Sequence, residues 1–226
     1  MASLFPDLDI GTQKAHLVGK PVGEVFRTIY AKKLWGGRFG FGAYSGNGSR
    51  NKEIIAPYIT AVRDFLKSHG RPSVVDVGCG DFNVGSQLVD FSSKYIGCDI
   101  VDFVIAQNRR RFPDVEFRTV NAVEDDLPDA EVVIIRQVLQ HLSNAQVAKI
   151  LPKLGKYKYA IITEHIPGKP IFVPNLDQEA GPEDRTSIGS GLVLTEPPFN
   201  LQPKSSHILC EVPEFGGLIR TIVFEF

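Results

Sequence analysis

Two acidic residues stand on either side of a glycine-rich turn, and their spacing limits the ligand they could bind. Asp76 lies two residues before Gly78-Cys79-Gly80, near the end of the β-branched run SVVDV, and Asp99 follows Gly80 by nineteen residues. Glycine lets the main chain approach a ligand closely. A carboxylate that follows the second strand can accept hydrogen bonds from both hydroxyls of a ribose. The pattern therefore predicts a nucleoside-containing ligand at this turn.

The same spacing discriminates between two nucleoside cofactors. A dinucleotide turn has the spacing G-x-G-x-x-G around a pyrophosphate, whereas Gly78, Gly80 and Gly85 give G-x-G-x4-G. The carboxylate of Asp76 would repel a pyrophosphate, but it would favour an ammonium or sulfonium group. Asp99 suits the ribose of either cofactor. The two acids and the misplaced third glycine together favour S-adenosylmethionine over NAD.

Alternating strands and helices are predicted to bring these residues to one sheet edge. Apolar β-rich runs predict strands, and helical spacing or a Ser143–Gln146 capping box predicts helices. The predicted strands are 73–77, 94–100, 115–120, 131–136 and 158–166, and the predicted helices are 54–66, 101–112 and 143–154. A further helix is expected to begin at the glycine turn. Such alternation indicates a doubly wound α/β sheet that is mostly parallel.

The end of the chain departs from this alternation. The runs 207–213 and 218–226 read as two strands that are separated by Glu-Phe-Gly-Gly. A connection this short fits a hairpin and is too short for a parallel crossover. The sheet is therefore expected to finish with an antiparallel strand.

The run VVDVGCGDF followed by YIGCDIV resembles the cofactor-binding half of class I S-adenosylmethionine-dependent methyltransferases. The resemblance extends over about residues 50–226. It implies a Rossmann-like sheet of seven strands with the seventh antiparallel, and S-adenosylmethionine as cofactor with S-adenosylhomocysteine as product. It also implies that the turn follows the methionine part, that Asp99 takes the ribose, and that 121–123 lie beside the adenine. The expected cofactor-binding residues are Asp76, Gly78, Cys79, Gly80, Asp99, Ile100, Asn121, Ala122, Gln137 and Trp35.

A closer likeness is to a group of small, poorly characterised methyltransferases. The segments LWGG, SGNGS, HLS and PPFNL carry this resemblance. That group commonly has Arg-Asp where this chain has Arg136-Gln137, and threonines where this chain has Glu164 and His165. These differences affect the acid–base chemistry in particular.

Three residues near the expected cleft could take a proton. His141 follows the fourth strand, and Glu164 and His165 end the fifth. Neighbours on a strand point to opposite sides, so one of the pair is expected to face the substrate. His141 could equally hold a backbone carbonyl. No metal is expected, although Glu164, His165, Asp177 and His207 include ligand types that a divalent ion accepts.

Two segments without regular periodicity flank the predicted sheet. Residues 34–49 contain six glycines among the aromatic residues Trp35, Phe39, Phe41 and Tyr44, and residues 167–205 contain seven prolines. The first segment is expected to belong to an N-terminal cap, residues 1–50. This cap would form either a lid on the cofactor or a satellite apolar cluster. The second is expected to insert over the substrate in a domain spanning 51–226. Its polar residues either recognise a polar substrate or fix the loop. The expected substrate-binding residues are Tyr44, Asn175, Asp177 and Arg185.

Composition narrows the possible functions further. The formal net charge of the 226-residue chain is −1, which gives no electrostatic reason to expect binding to nucleic acid or to an anionic membrane. The three cysteines have no zinc spacing, the start is not signal-like and no apolar run is long, so a cytoplasmic protein is expected. A monomer or a homodimer is expected. The expected function is methyl transfer to an oxygen or nitrogen of a small polar molecule. The alternatives are a non-catalytic cofactor-binding scaffold or sensor and a nicotinamide-dependent oxidoreductase.

Overall fold

A seven-stranded sheet forms the centre of the protein in a computed structural model that describes residues 17–36, 43–169, 171–214 and 216–226. The strand order is β3-β2-β1-β4-β5-β7-β6. The strands are β1 (Val74–Val77), β2 (Tyr95–Asp99), β3 (Glu116–Thr119), β4 (Val132–Arg136), β5 (Tyr159–Pro167), β6 (Ser205–Glu214) and β7 (Gly217–Glu225). β7 runs antiparallel to β5 and β6, whereas the first five strands pair in parallel. The predicted fold class and its antiparallel strand are confirmed.

Within the described residues, four α-helices cover the sheet: α1 (Val22–Ala31), α2 (Lys52–Ser68), α3 (Asp102–Arg111) and α4 (Asn144–Ile150). One apolar core joins α1 and α4 to one face, and a second core joins α2 to the other. Ser143 caps α4 through the predicted capping box with Gln146. α4 is shorter than predicted, and the chain continues as a 3-10 helix over Leu151–Lys156. Pro152 explains the change, because proline lacks an amide donor and clashes with the preceding turn.

The turn after β1 differs from the expectation. No α-helix follows the glycines; residues 81–92 instead contain two short 3-10 turns, Gly85–Gln87 and Val89–Phe91. Phe82 adopts φ +60°, and the Asp81 carboxylate accepts from the amide of Asn83 at 3.2 Å. A positive φ and a side chain that competes for backbone amides both interrupt a helix. The predicted helix N-terminus is therefore wrong.

The two irregular segments lie against the carboxyl edge of the sheet. Residues 43–50 form a short turn whose Ser45 hydroxyl accepts from the Asp81 amide at 2.8 Å. The β5–β6 connection, residues 168–204, contains one 3-10 turn, Arg185–Ile188. Phe39 and Phe41 of the predicted cap lie outside the described residues. The division at residue 50 stays a prediction, and α1 packs directly into the main core. Among the described residues no helix is long and apolar enough to span a bilayer.

Candidate active site

A cavity of about 500 Å³ opens at the carboxyl edge of the sheet, within the size range of small-molecule sites. It is bordered by the glycine turn, by the ends of β2, β4 and β5, and by the β5–β6 connection. All ten predicted cofactor-binding residues line it, as do two of the three predicted proton acceptors, His141 and His165. The structure thus brings these residues together; that they bind a cofactor stays a prediction.

The two glycines of the turn are required by space as well as by conformation. Gly78 has φ +76°, and a Cβ there would lie 2.3 Å from Cγ2 of Val138. Gly80 has φ +55°, and its Cβ would lie 2.3 Å from the hydroxyl of Ser45. Any side chain at either position would be strained and would displace a neighbour. The turn therefore brings bare backbone to the cavity wall.

Asp99 is held at the cavity wall by backbone amides. Its two carboxylate oxygens accept from Gly80 N at 3.0 Å and from Val101 N at 2.9 Å, and the residue is 6% exposed. Burial raises the pKa of Asp99 to about 6, against the opposing effect of these amides. Each oxygen can accept a further hydrogen bond. The site therefore has acceptor capacity for a ligand that carries hydroxyl groups.

Asp76 is a second buried acid in the same cavity. The hydroxyl of Tyr95 donates to its carboxylate at 3.0 Å. Burial raises the pKa of Asp76 to about 7, although the hydrogen bond from Tyr95 and the charge of Arg136 oppose the shift. Among the described residues, no lysine, arginine or histidine nitrogen lies within 4 Å of either Asp76 or Asp99. A cationic ligand would stabilise both ionised acids.

Trp35 links the N-terminal region to the β5–β6 connection across the cavity. Its indole nitrogen donates to the carbonyl of Pro182 at 2.8 Å. Its ring contacts Tyr30 edge-on, with centroids 5.3 Å apart, and lies 5.2 Å from the ring of His141. Trp35 therefore forms part of the cavity wall and also packs against the main apolar core, so a role as a lid stays a prediction.

His165 carries a proton on both ring nitrogens in this geometry. Its Nδ1 lies 2.9 Å from the carboxylate of Asp184, and its Nε2 lies 3.1 Å from the carbonyl of Glu214. Both partners can only accept, so both nitrogens must donate. Burial disfavours the charged ring, but the hydrogen bond and charge of Asp184 outweigh it and raise the pKa of His165. An imidazolium in these bonds cannot accept a proton.

His141 has the opposite protonation state. Its Nδ1 lies 3.1 Å from the carbonyl of Glu183 and therefore donates. Burial lowers the pKa of His141, although the Glu183 carbonyl and the charge of Asp184 oppose the shift. The ring is therefore neutral at pH 7, with a lone pair on Nε2.

Gln140 fixes the orientation of this group of side chains. Its Oε1 accepts from the backbone amide of His165 at 2.8 Å, so its Nε2 must face the other way. That nitrogen lies 3.4 Å from Nε2 of His141, where a donor meets the lone pair. The backbone amide of Gln140 donates to the carboxylate of Glu164 at 2.9 Å. Gln140 connects all three predicted proton acceptors and was missed by sequence reasoning.

Glu164 does not line the cavity. It is 5% exposed, and one carboxylate oxygen accepts from Gln140 N, whereas the other has no partner within the described part of the chain. Burial raises the pKa of Glu164 to about 8, against the opposing charge of Arg185. The opposite orientation of neighbours on a strand places His165 at the cavity and Glu164 behind it.

The predicted substrate-binding residues lie outside the cavity lining. Asn175 and Arg185 are buried and their side chains bond the protein itself: Asn175 donates to Val193 O and Pro197 O, each at 2.9 Å. Arg185 donates to the carbonyls of residues 139, 140, 142 and 176 and to Asn144 Oδ1. Asp177 accepts from Asn144 N at 2.7 Å. These contacts favour the loop-fixing alternative for the three residues.

Tyr44, the fourth predicted substrate residue, is half-buried beside the cavity cover. The guanidinium carbon of Arg50 lies 5.5 Å from the centre of its ring. It does not line the cavity. Among the residues that line it and that the sequence did not single out as site residues are Asp184, and Arg136 at the end of β4. Arg136 was noted only as a departure from a related group, because one sequence does not show that the cation is buried.

Comparison with known proteins places this geometry in context. No protein-family model matches the chain. A protein of Mycolicibacterium smegmatis, named a probable S-adenosylmethionine-dependent methyltransferase, is 37% identical over 71 residues. That similarity covers 30% of this chain and 28% of the relative. The shared segment is thus a small part of both proteins.

Solved structures extend the similarity to most of the fold. The N-methyltransferase NodS of Bradyrhizobium japonicum, bound to S-adenosylhomocysteine, has a TM-score of 0.61 at 9% identity, covering 88% of this chain and 98% of that one. The magnesium protoporphyrin IX methyltransferase of Synechocystis has 0.57 at 15% identity, covering 92% and 99%. Human N-acetylserotonin methyltransferase has 0.57 at 14% identity, covering 92% of this chain but 60% of its own length. With its strand order 3-2-1-4-5-7-6 and its antiparallel β7, this chain therefore has the Rossmann-like fold of class I S-adenosylmethionine-dependent methyltransferases.

Proposed function

We propose that this protein transfers a methyl group from S-adenosylmethionine to an oxygen or nitrogen of a small polar molecule. The observation that carries the proposal is the pair of buried acids, Asp76 and Asp99, on either side of a glycine turn inside one cavity; among the described residues, no cationic nitrogen lies within 4 Å of either. A sulfonium cofactor carries an amino group that would bind Asp76 and a ribose that would bind Asp99. The name of the M. smegmatis relative supports the same activity.

The residues at the cavity fit this cofactor. Asp99 would accept the ribose hydroxyls with the lone pairs that its two amide donors leave free. Asn121 and Ala122, which follow β3, would lie beside the adenine. The bare backbone of Gly78 and Gly80 would border the methionine part, and Asp76 would face its ammonium group. When bound, the cofactor supplies a methyl group that is already activated by sulfonium.

The acceptor would occupy the part of the cavity beside β4 and β5. Methyl transfer needs alignment of the attacking atom about 3–3.5 Å from the methyl carbon. Where a proton must leave the acceptor, His141 would take it on Nε2, whose lone pair is engaged, within the described residues, only by the long 3.4 Å contact with Gln140 Nε2. His165 is held as an imidazolium by Asp184, so its role would be to fix the wall. The oxidoreductase alternative is less favoured, because a pyrophosphate would lie against Asp76.

The proposal is tested by measuring formation of S-adenosylhomocysteine from S-adenosylmethionine with a panel of small amines, alcohols and carboxylic acids. We expect turnover with a subset of the panel and loss of that turnover in Asp99→Ala. Binding of the cofactor with no turnover across broad panels would favour the scaffold alternative.

A further inference from the structure

Arg136 is a buried cation whose hydrogen bonds are incomplete. It ends β4, is 9% exposed and lines the cavity. Nη2 donates to the carbonyl of Gly48 at 2.7 Å, whereas Nη1 makes only a 3.4 Å contact with the hydroxyl of Ser49. Among the described residues, Nε is buried without a partner. A guanidinium has five donors, so most of the capacity of Arg136 is unused.

No acid neutralises this guanidinium at close range. Among the described residues, no aspartate or glutamate oxygen lies within 4 Å of Arg136. The negative charges of Asp76 and Glu214 act on it from farther away, and burial lowers the pKa of Arg136. Buried charges in proteins are normally paired, because removing an ion from water costs several kcal/mol. The aromatic face of Tyr58, 4.9 Å from the guanidinium carbon, is its nearest compensation.

Arg185 provides an internal comparison. It is also buried, and its Nε, Nη1 and Nη2 all donate to nearby oxygens, four backbone carbonyls and Asn144 Oδ1. Arg185 is thus complete without a ligand, and it does not line the cavity. The unused donors of Arg136 are therefore a property of its site and are not shared by the other buried arginine, Arg185.

Arg136 lies between the cofactor side and the acceptor side of the cavity. It pairs in register with Thr163 on β5, two residues before His165. The turn that would border the cofactor ends β1, on the opposite side of β4. The charge of Asp76 on β1 acts on Arg136 more strongly than that of Glu214, whose carbonyl adjoins His165. A ligand group at this guanidinium would therefore lie between Asp76 and Glu214.

We propose that the methyl acceptor carries a carboxylate and that Arg136 binds this carboxylate within the cavity. The inference rests on the proposed function, which it narrows to one substrate class. The planar guanidinium matches a carboxylate with two parallel hydrogen bonds, and the ion pair would satisfy donors that are otherwise unused. The other charged side chains around the cavity are mainly acidic, so an anionic acceptor would depend on Arg136.

The test uses benzoate as the probe and benzamide as its neutral counterpart. Each is titrated calorimetrically into the wild-type protein with and without saturating S-adenosylhomocysteine. The variants are Arg136→Met, which keeps length without charge, and Arg136→Lys, which keeps charge without the planar fork. We expect benzoate but not benzamide to bind the wild type, and benzoate affinity to fall at least tenfold in Arg136→Met and less in Arg136→Lys. The Kd of S-adenosylhomocysteine should stay within about twofold, which also reports that the variants fold.

Three results would overturn the proposal: equal binding of benzoate to Arg136→Met, equal binding of benzamide, or no benzoate binding to the wild type. A tenfold loss of S-adenosylhomocysteine affinity in a folded Arg136→Met variant would also overturn it, since Arg136 would then serve the carboxylate of the cofactor. S-Adenosyl-homocysteine that fails to bind the wild type contradicts the proposed function instead. In that case, the titration without cofactor still decides whether Arg136 binds a carboxylate.

Discussion

The carboxylate of Asp184, in the β5–β6 connection, lies 2.9 Å from Nδ1 of His165 on β5. The connection that covers the cavity is thereby joined to the sheet by a pair that is charged on both sides. Hydrogen bonds from His165 and Thr186 lower the pKa of Asp184 to about 2, although burial opposes this shift. The same pair raises the pKa of His165 above its ordinary value.

This pair should make the stability of the protein depend on pH. The raised pKa of His165 gives a contribution that is complete below about pH 6.5 and is lost as pH rises through the folded pKa. The lowered pKa of Asp184 gives a contribution that is complete above about pH 4 and is lost as pH falls toward 2. Asp184→Asn, which retains an acceptor for Thr186, should therefore destabilise most between about pH 4 and 6.5 and less at pH 9. Urea unfolding of both proteins at these pH values measures the difference, and a pH-independent difference would contradict an ion pair.

The two cavity histidines should titrate on opposite sides of the ordinary value of about 6.5. Burial lowers the pKa of His141, whereas Asp184 outweighs burial and raises the pKa of His165. Histidine NMR titration, with signals assigned by His141→Gln and His165→Gln, measures both values. The Nδ1–H tautomer of neutral His141 should be visible in nitrogen chemical shifts. A His141 that titrates above His165 would reverse the roles assigned to them.

Asp99→Ala should weaken binding of S-adenosylhomocysteine at least tenfold, or about 1.4 kcal/mol. The substitution removes the carboxylate that would accept from the ribose and that accepts from the amides of Gly80 and Val101. Asp99→Asn is the matched control, because it keeps the size and one acceptor oxygen; it should retain the fold and lose part of the affinity. Unchanged affinity in a folded Ala variant would mean that another acid takes the ribose.

Gly78→Ala should destabilise the turn and weaken cofactor binding. The new methyl would lie 2.3 Å from Val138 Cγ2, at a residue with φ +76°. Combining it with Val138→Ala should recover part of the loss, leaving a backbone cost of about 1 kcal/mol or more. Gly155→Ala is the control, since its Cβ would meet nothing within 4 Å. Thermal unfolding and calorimetry report the two effects, and equal results at positions 78 and 155 would contradict the steric argument.

Arg185→Lys should lower the free energy of unfolding by about 2–4 kcal/mol, because lysine cannot reach five acceptors at once and leaves buried carbonyls unpaired. The structural contacts of Arg185 are all within the protein. Chemical denaturation measures the change. An unchanged unfolding free energy with a raised KM would instead restore the role in substrate binding that the sequence suggested.

Much of the fold follows from local patterns in the sequence. All seven strands lie within two residues of their predicted bounds, because alternation of apolar strands and amphipathic helices is a local signal. α1 was not predicted, although its buried residues Val22, Val25, Phe26, Ile29 and Tyr30 have helical spacing. The helix expected after the turn was wrong because Asp81 and Phe82 set a local conformation that periodicity does not describe.

The site was predictable only where a motif fixed its position. The glycine turn and Asp99 are close in the fold because consecutive parallel strands end at the same edge. The role of Gln140 depends on contacts with Glu164 and His165 that are 24 and 25 residues away. The burial of Arg136 against Gly48 spans 88 residues. Such contacts depend on how separate elements pack. Residue type alone therefore did not distinguish Arg185, whose guanidinium nitrogens all donate, from Arg136, whose donors are mostly unused.

The cavity around Asp76 and Asp99 should hold S-adenosylmethionine. Calorimetric titration of the purified protein with S-adenosylmethionine, S-adenosylhomocysteine and NAD in parallel tests this prediction most directly. We expect micromolar binding of the first two and none of NAD. Binding of NAD alone, or of none of the three, would contradict the prediction.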